Sequence, residues 1–350
     1  MAATPHAVRC SEFDDDDVWT TVSNTHIGQF NLEDDVMGMH PYAGQLIVGT
    51  KNSVQAISGY IRADFAKTIV DLTVGVASHW SMKATTLEGS SQVLFWAAYD
   101  GIYMMAGGQV QKISRRIQSY WDDLNPADIE ESCAVINRVK GEYMLAVSTG
   151  SKTDHDTVIV FNFLKNTFTI FNYPQELDVL GSYRSNGITY LYGGNAQGHF
   201  YRLDTGAYDS HKEIGAPNGA YLYTKWYDVG YPDKEKDSRV LWVIYKETGA
   251  YNMRVGWEDD WIESSSTDSI SNEKNVSLDP GTAVYGTAVY GTDVYSKASS
   301  IKKNQVHLHS ATARGDAVRF RIRNAPTDTG GSFDLKGFVY LFTGIEEFPG

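Results

Sequence analysis

The chain has 350 residues, of which 42% are hydrophobic and 13% aromatic, with 22 tyrosines and only 21% charged residues. That composition argues against general disorder, allows one large domain or two ordinary ones, and suits a protein that buries surface in an assembly. The formal net charge of −13 argues against general nucleic-acid binding, which relies on clustered Lys and Arg, but fits a surface past which DNA slides without sticking.

Residues 1–17 are polar and close on the run Asp14, Asp15, Asp16 and Asp17. They read as an N-terminal acidic arm, either solvated or reaching a basic neighbouring subunit, since like-charge runs often act as tails. Four adjacent aspartates lack the ligand spacing and glycine hinge of a calcium loop. The first residues hold no long apolar stretch, so no secretory signal is expected. No window approaches the roughly 18 apolar residues of a membrane span. Cys10 and Cys133 are the only cysteines, too few for a disulfide framework or a four-sulfur zinc site, and a reducing compartment follows as the expectation.

Residues 18–215 read as a series of antiparallel hairpins. Residues 44–49 form a buried strand, 51–53 a turn and 54–57 a returning strand. After residues 75–80 and a loop at 85–91 comes QVLFWAAYDGIYMMAGGQVQK (residues 92–112). Its apolar runs are separated by Asp-Gly and Gly-Gly pairs that tolerate the left-handed backbone of tight turns. Residues 113–124 break the pattern: Ile113, Ile117, Tyr120, Trp121 and Leu124 fall at helical spacing, Asn125-Pro126 stops them, and the aromatic stripe is expected to face the core. Strands resume at 132–136, 141–149, 157–162 and 167–171, and again at 179–183, 189–193 and 198–203. Four-strand groups repeating every 40–50 residues or so are the mark of β-propeller blades, with a plain β-sandwich as the competing fold.

Composition loosens at 214–219, where a domain boundary is expected. Residues 216–350 then read as a C-terminal β-sandwich domain with strands at 222–230, 238–246, 251–257, 305–310, 317–323 and 338–342. A long loop is expected over 262–300, carrying the repeat GTAVY-GTAVY-GTDVY. Tyr285, Tyr290 and Tyr295 in it are candidate anchors for a partner, because tyrosine is enriched at interfaces; a solvated insertion is the other reading. In RFRIR, Arg319, Arg321 and Arg323 share one strand face and Phe320 and Ile322 the other. Burying the apolar face is expected to leave a basic stripe, read as plain solvent surface, as a docking strip for an acidic neighbour or as a DNA contact, for which three charges give little phosphate affinity.

Catalytic signatures are missing: no nucleophile elbow, phosphate-binding loop, zinc-protease pair or dinucleotide fingerprint occurs in a meaningful context. His307 and His309 alternate on one strand face, but without a nearby carboxylate they read as surface residues and not as a metal site. Carboxylate pairs for sugar cleavage come from distant positions and are not visible in sequence. Arg314-Gly315-Asp316 matches an adhesion tripeptide too short to carry weight. No catalytic residue, metal or cofactor is therefore expected.

Several passages resemble the β-propeller virion proteins of tailed bacteriophages found at the neck, adaptor and tail nozzle. They are GMHPYAGQLIVGTKNSVQAISG, LFWAAYDGIYMMAGGQVQKISRRI, KWYDVGYPDKEKDSRVLWVIYKETGAYNMRVGWEDD and VRFRIRNAPTDTGGSFDLKGFVYLF. The last two are similar to the terminal β domain that follows the blades in that family. This chain departs by having room for only about four or five blades. The resemblance implies a non-enzymatic virion part assembled in the host cytoplasm. It also implies a ring of identical subunits, often six, which meets neighbouring virion proteins and surrounds the channel through which genomic DNA leaves. A carbohydrate-binding or carbohydrate-cleaving propeller, receptor-binding or tailspike-like, is the alternative, followed by a generic scaffold propeller.

Overall fold

The computed structural model describes residues 6–9, 29–59, 64–87, 92–173, 176–203, 221–230, 234–248, 252–260, 272–278, 301–308, 314–324 and 334–344. The protein is all-β, a propeller-like array of antiparallel sheets followed by a β-sandwich, and it divides into two compact units, Met1–Thr205 and Gly206–Gly350.

The first unit opens with a two-stranded ribbon, β1 (Ala7–Arg9) and β2 (Gln29–Asn31). Part of the expected solvated arm is thus a paired strand, with Val8 buried against Leu32, Val48 and Ile57. Three antiparallel meanders of four strands follow. The first is β3 (Val36–Tyr42), β4 (Gln45–Thr50), β5 (Val54–Ser58) and β6 (Ala66–Asp71). The second is β7 (Lys83–Thr86), β8 (Gln92–Ala98), β9 (Gly101–Ala106) and β10 (Gln109–Lys112). The third is β11 (Cys133–Asn137), β12 (Glu142–Val147), β13 (Thr157–Asn162) and β14 (Thr167–Asn172). A three-stranded sheet of β15 (Val179–Ser185), β16 (Ile188–Gly194) and β17 (Phe200–Leu203) ends the unit. The loop expected at 85–91 begins later than the sequence indicates, because Thr85 and Thr86 pair with Val93 and Gln92.

Packing explains why the strands read as continuous apolar runs and not as alternations. In β8, Val93, Phe95 and Ala97 face one hydrophobic cluster with the third sheet, while Leu94, Trp96 and Ala98 face another with the first sheet. In β12, Tyr143, Leu145 and Val147 face the second sheet, and Met144 and Ala146 face the fourth. A strand covered on both faces gains nothing from a polar alternate position, so the period-two signal disappears. The helical reading of residues 113–124 holds: a short 3-10 turn (Ser114–Ile117) runs into helix α1 (Gln118–Asp122). Trp121 and Leu124 enter the cluster between the second and third sheets, with Ile113, Ile117 and Tyr120 against it. Three hairpins turn through consecutive left-handed residues, Ala43-Gly44 (φ 50° and 78°), Gly107-Gly108 (φ 57° and 81°) and Asn186-Gly187 (φ 50° and 81°), the geometry whose twist matches antiparallel strands.

The second unit is a sandwich. One sheet is ordered β18 (Tyr221–Tyr223), β24 (Val318–Asn324), β20 (Asn252–Asp259) and β21 (Glu273–Ser277). In the other, β19 (Lys236–Lys246) lies between β22 (Ile301–His307) and β25 (Asp334–Gly344), with the two-residue β23 (Arg314–Gly315) at its start. Leu241, Val243 and Tyr245 of β19 meet Met253, Val255 and Trp257 of β20 and Phe320 and Ile322 of β24 in one core. Two expectations are corrected here. The 222–230 strand is cut short after Tyr223, leaving only an isolated bridge at Tyr227. The 262–300 loop is interrupted by β21, whose Val276 reaches the core together with Leu278 just beyond it.

Candidate functional site

The arginines of β24 are the first candidate, and the structure overturns the basic stripe. Arg319, Arg321 and Arg323 do share a face, but Arg321 is 2% and Arg323 3% exposed. Register supplies the reason. Arg319 stands opposite Glu258, and Arg321 stands opposite Gly256, which is itself opposite Glu273 on the next strand. With no side chain at Gly256, Arg321 reaches across to Glu273 at 3.5 Å. Arg323 donates to both Glu273 oxygens, at 2.8 and 2.6 Å, and Arg254 approaches at 3.3 Å. Arg319 donates to Glu258 and lies over the rings of Tyr223 (4.7 Å) and Trp226 (5.0 Å). The arginines therefore build a nearly buried ionic layer inside the unit, organised by two carboxylates, Glu273 and Glu258.

The second candidate was not visible in the sequence. The first strands of the four sheets, β3, β7, β11 and β15, converge on a cavity of roughly 340 Å³. His40 comes from β3, Lys83 from β7, Arg138 from the turn after β11, and Arg184 from β15. Arg184 pairs in register with Thr189, and Thr189 and Ser182 also line the space. No carboxylate is among the described lining residues, so the two-acid chemistry of sugar hydrolysis has no seat in this cavity. Burial pushes the Lys83 ammonium below its usual range, and burial with the nearby Lys83 charge does the same for His40 despite its bond to the Pro41 carbonyl.

Beside this cavity, Cys133 of β11 donates to the Asp178 carbonyl at 3.1 Å. Burial pushes its thiol up to about 12. In a Cys10→Ser variant, Cys133 is expected to resist a thiol-specific chromogenic disulfide at neutral pH and to react fully only on unfolding in denaturant. Fast labelling of the native protein would contradict that burial.

A third cluster has the composition of a hydrolase triad and the wrong wiring. Ser148 donates to Asp128, and His155 Nε2 lies 3.6 Å from the same carboxylate. The acid thus sits between serine and histidine, so the imidazole is not placed to take the serine proton. Ser148 and His155 are buried and the Asp128 side chain is 11% exposed, which suits a structural polar network.

Asp14 to Asp17, Tyr285, Tyr290, Tyr295 and His309 lie outside the described residues. His307 is exposed on β22, and no group of three metal-ligating side chains occurs among the described residues. Among them, too, no helix is long and apolar enough to cross a membrane.

One face of the fourth sheet stands apart. Leu180, Leu191 and Leu203 pack inward against the third sheet. The opposite face carries Val179, Tyr183, Ile188 and Phe200, exposed at 64%, 62%, 56% and 72%. Tyr192 stacks on Phe200 at 4.8 Å, and Arg202 lies 4.4 Å over Tyr190. The stack of sheets ends in an aromatic surface.

No protein-family model and no curated protein matches the chain. Among solved structures, it is similar to a glycoside hydrolase family 43 arabinoxylan arabinofuranohydrolase from Bacillus subtilis in complex with cellotetraose. That similarity has 10% identity and a TM-score of 0.28, over 87% of this chain and 78% of that one. It is also similar to BBS1N in complex with ARL6DN, at 14% identity and a TM-score of 0.24, over 51% of this chain and 71% of that one. At these TM-scores neither neighbour bears on the chemistry of this chain.

Proposed function

We propose that this chain is a non-enzymatic structural component of a tailed-phage virion, of the neck, adaptor or tail-nozzle kind. Copies of it form a ring, six being the number the resemblance implies, that docks on neighbouring virion proteins and lines the exit path of genomic DNA without a cofactor. The virion assignment rests on the sequence passages that resemble such proteins. The observation that carries self-assembly is the aromatic end face of the fourth sheet. Each of the first three sheets is covered on both faces by another layer, while the fourth presents Val179, Tyr183, Ile188 and Phe200 to solvent. Contiguous exposed apolar surface of this kind favours association. The −13 net charge supports passage of DNA without sticking.

Mass photometry at micromolar concentration is expected to show a closed ring, and Tyr183→Glu with Phe200→Glu to dissociate it. A wild-type protein that stays monomeric there would sink the proposal. The same aromatic face also favours a second reading, stacking on sugar rings as a receptor-binding protein. A monomer that binds host polysaccharide on a glycan array, and loses binding with Phe200→Ala, would replace the first reading by the second.

A further inference from the structure

We propose that the cavity where β3, β7, β11 and β15 converge is an anion site, taking a small molecule that bears a carboxylate or phosphate group. The placement of charge carries this. Lys83 comes from the second sheet, Arg138 from a turn of the third and Arg184 from the fourth, with His40 from the first. None of the three permanent cations has a hydrogen-bond or ion-pair partner among the described residues. Elsewhere in the same unit lysines find acids, Lys112 with Asp100 at 2.9 Å and Lys152 with Asp156 at 2.8 Å. A chain with 43 acidic and 30 basic residues has carboxylates to spare, yet the described lining of this cavity contains none. Lys83 is half-buried while Arg138 and Arg184 are exposed, so the cleft opens to solvent, and grouped cations of one sign raise the local concentration of any small anion that enters.

The remaining lining suits an oxyanion on a partly apolar body. Ser182 and Thr189 offer hydroxyl donors, and the planar guanidinium forks of Arg138 and Arg184 match the geometry of carboxylate and phosphate. Ala84, Val135 and Leu180 provide apolar wall. The cavity of roughly 340 Å³ lies in the range of small-molecule sites and is too small for a nucleic-acid duplex. Burial lowers the Lys83 pKa, and a bound anion would favour its charged form.

The test is isothermal titration of the intact chain at low ionic strength, with inorganic pyrophosphate in one arm and glucuronate in the other. Saturable binding is expected in at least one arm, and which arm responds tells phosphate from carboxylate recognition. Lys83→Gln and Arg184→Gln are each expected to weaken binding about tenfold. Lys83→Arg, which keeps the charge, should retain most of it. Lys274→Gln, an exposed lysine in the second unit, should leave it unchanged, which separates the site from a general charge effect. Absence of saturable binding by the wild-type protein in both arms overturns the proposal, as does equal weakening by Lys274→Gln and Lys83→Gln. The reading does not depend on ring formation, since the cavity lies within one unit of one chain, so either proposal can fail alone.

Discussion

Replacing Glu273 with alanine is expected to destabilise the C-terminal unit by about 3–5 kcal/mol, the cost of stranding buried charge. Glu273 accepts two bonds from Arg323, lies 3.5 Å from Arg321 and is approached by Arg254 at 3.3 Å. Its loss leaves Arg321 and Arg323 in a layer where they are almost inaccessible to water. Glu273→Gln, which keeps an acceptor and loses the charge, should cost less. Replacing Glu273, Arg321 and Arg323 together with apolar residues of similar volume should recover much of the loss, since a buried ionic cluster often contributes little net stability over hydrophobic packing. Chemical denaturation followed by the fluorescence of Trp257, a core residue of the same unit, measures all three. If Glu273→Ala moved the midpoint no more than an exposed substitution does, the arginine layer would have to be solvated after all.

Phe95→Ala should be the most damaging single change in the first unit, at about 3–5 kcal/mol for the lost transfer energy and the cavity left behind. Phe95 is fully buried. Its ring meets Tyr143 at 5.2 Å, Phe163 at 5.7 Å and Phe161 at 6.0 Å, so the contacts it loses are those holding the second sheet to the third. Phe95→Leu, which keeps most of the volume, should cost clearly less. Because each sheet is packed on the next, the loss should appear as a lower midpoint for the whole unit and not as local fraying. Thermal unfolding read by circular dichroism and by limited proteolysis of the unit would distinguish these; melting of the second sheet alone would show that the sheets are not energetically coupled.

Much of the strand inventory was legible, and for a physical reason. Hairpins are written locally, in a short apolar run, a turn pair able to adopt left-handed backbone, and a second run. Gly107-Gly108 and Asn186-Gly187 are such pairs, and both turn as expected. The helical interruption at residues 113–124 was equally local, carried by the spacing of Ile117, Tyr120, Trp121 and Leu124. Strands with weaker signals were missed: β3, whose run Val36–Tyr42 contains Gly38 and Pro41, and β6, which is largely exposed. β21 was lost inside a polar stretch because only Val276 and Leu278 mark its buried side.

Local sequence thus settled which residues extend, where they turn back, and that sheets would dominate, because those outcomes depend on neighbours a few positions apart. What lies across the strand from a residue was decided only in three dimensions. Arg319, Arg321 and Arg323 look like a solvent stripe until Glu258 and Glu273, about 50 to 60 positions away in the chain, are brought beside them by strand register. The cationic cavity is the same case. His40, Lys83, Arg138 and Arg184 fall in four separate sheets or their turns, and nothing in a linear reading brings them together. Charge pairing is a property of distances through space, and folding sets those distances by stacking sheets whose order a one-dimensional pattern does not encode.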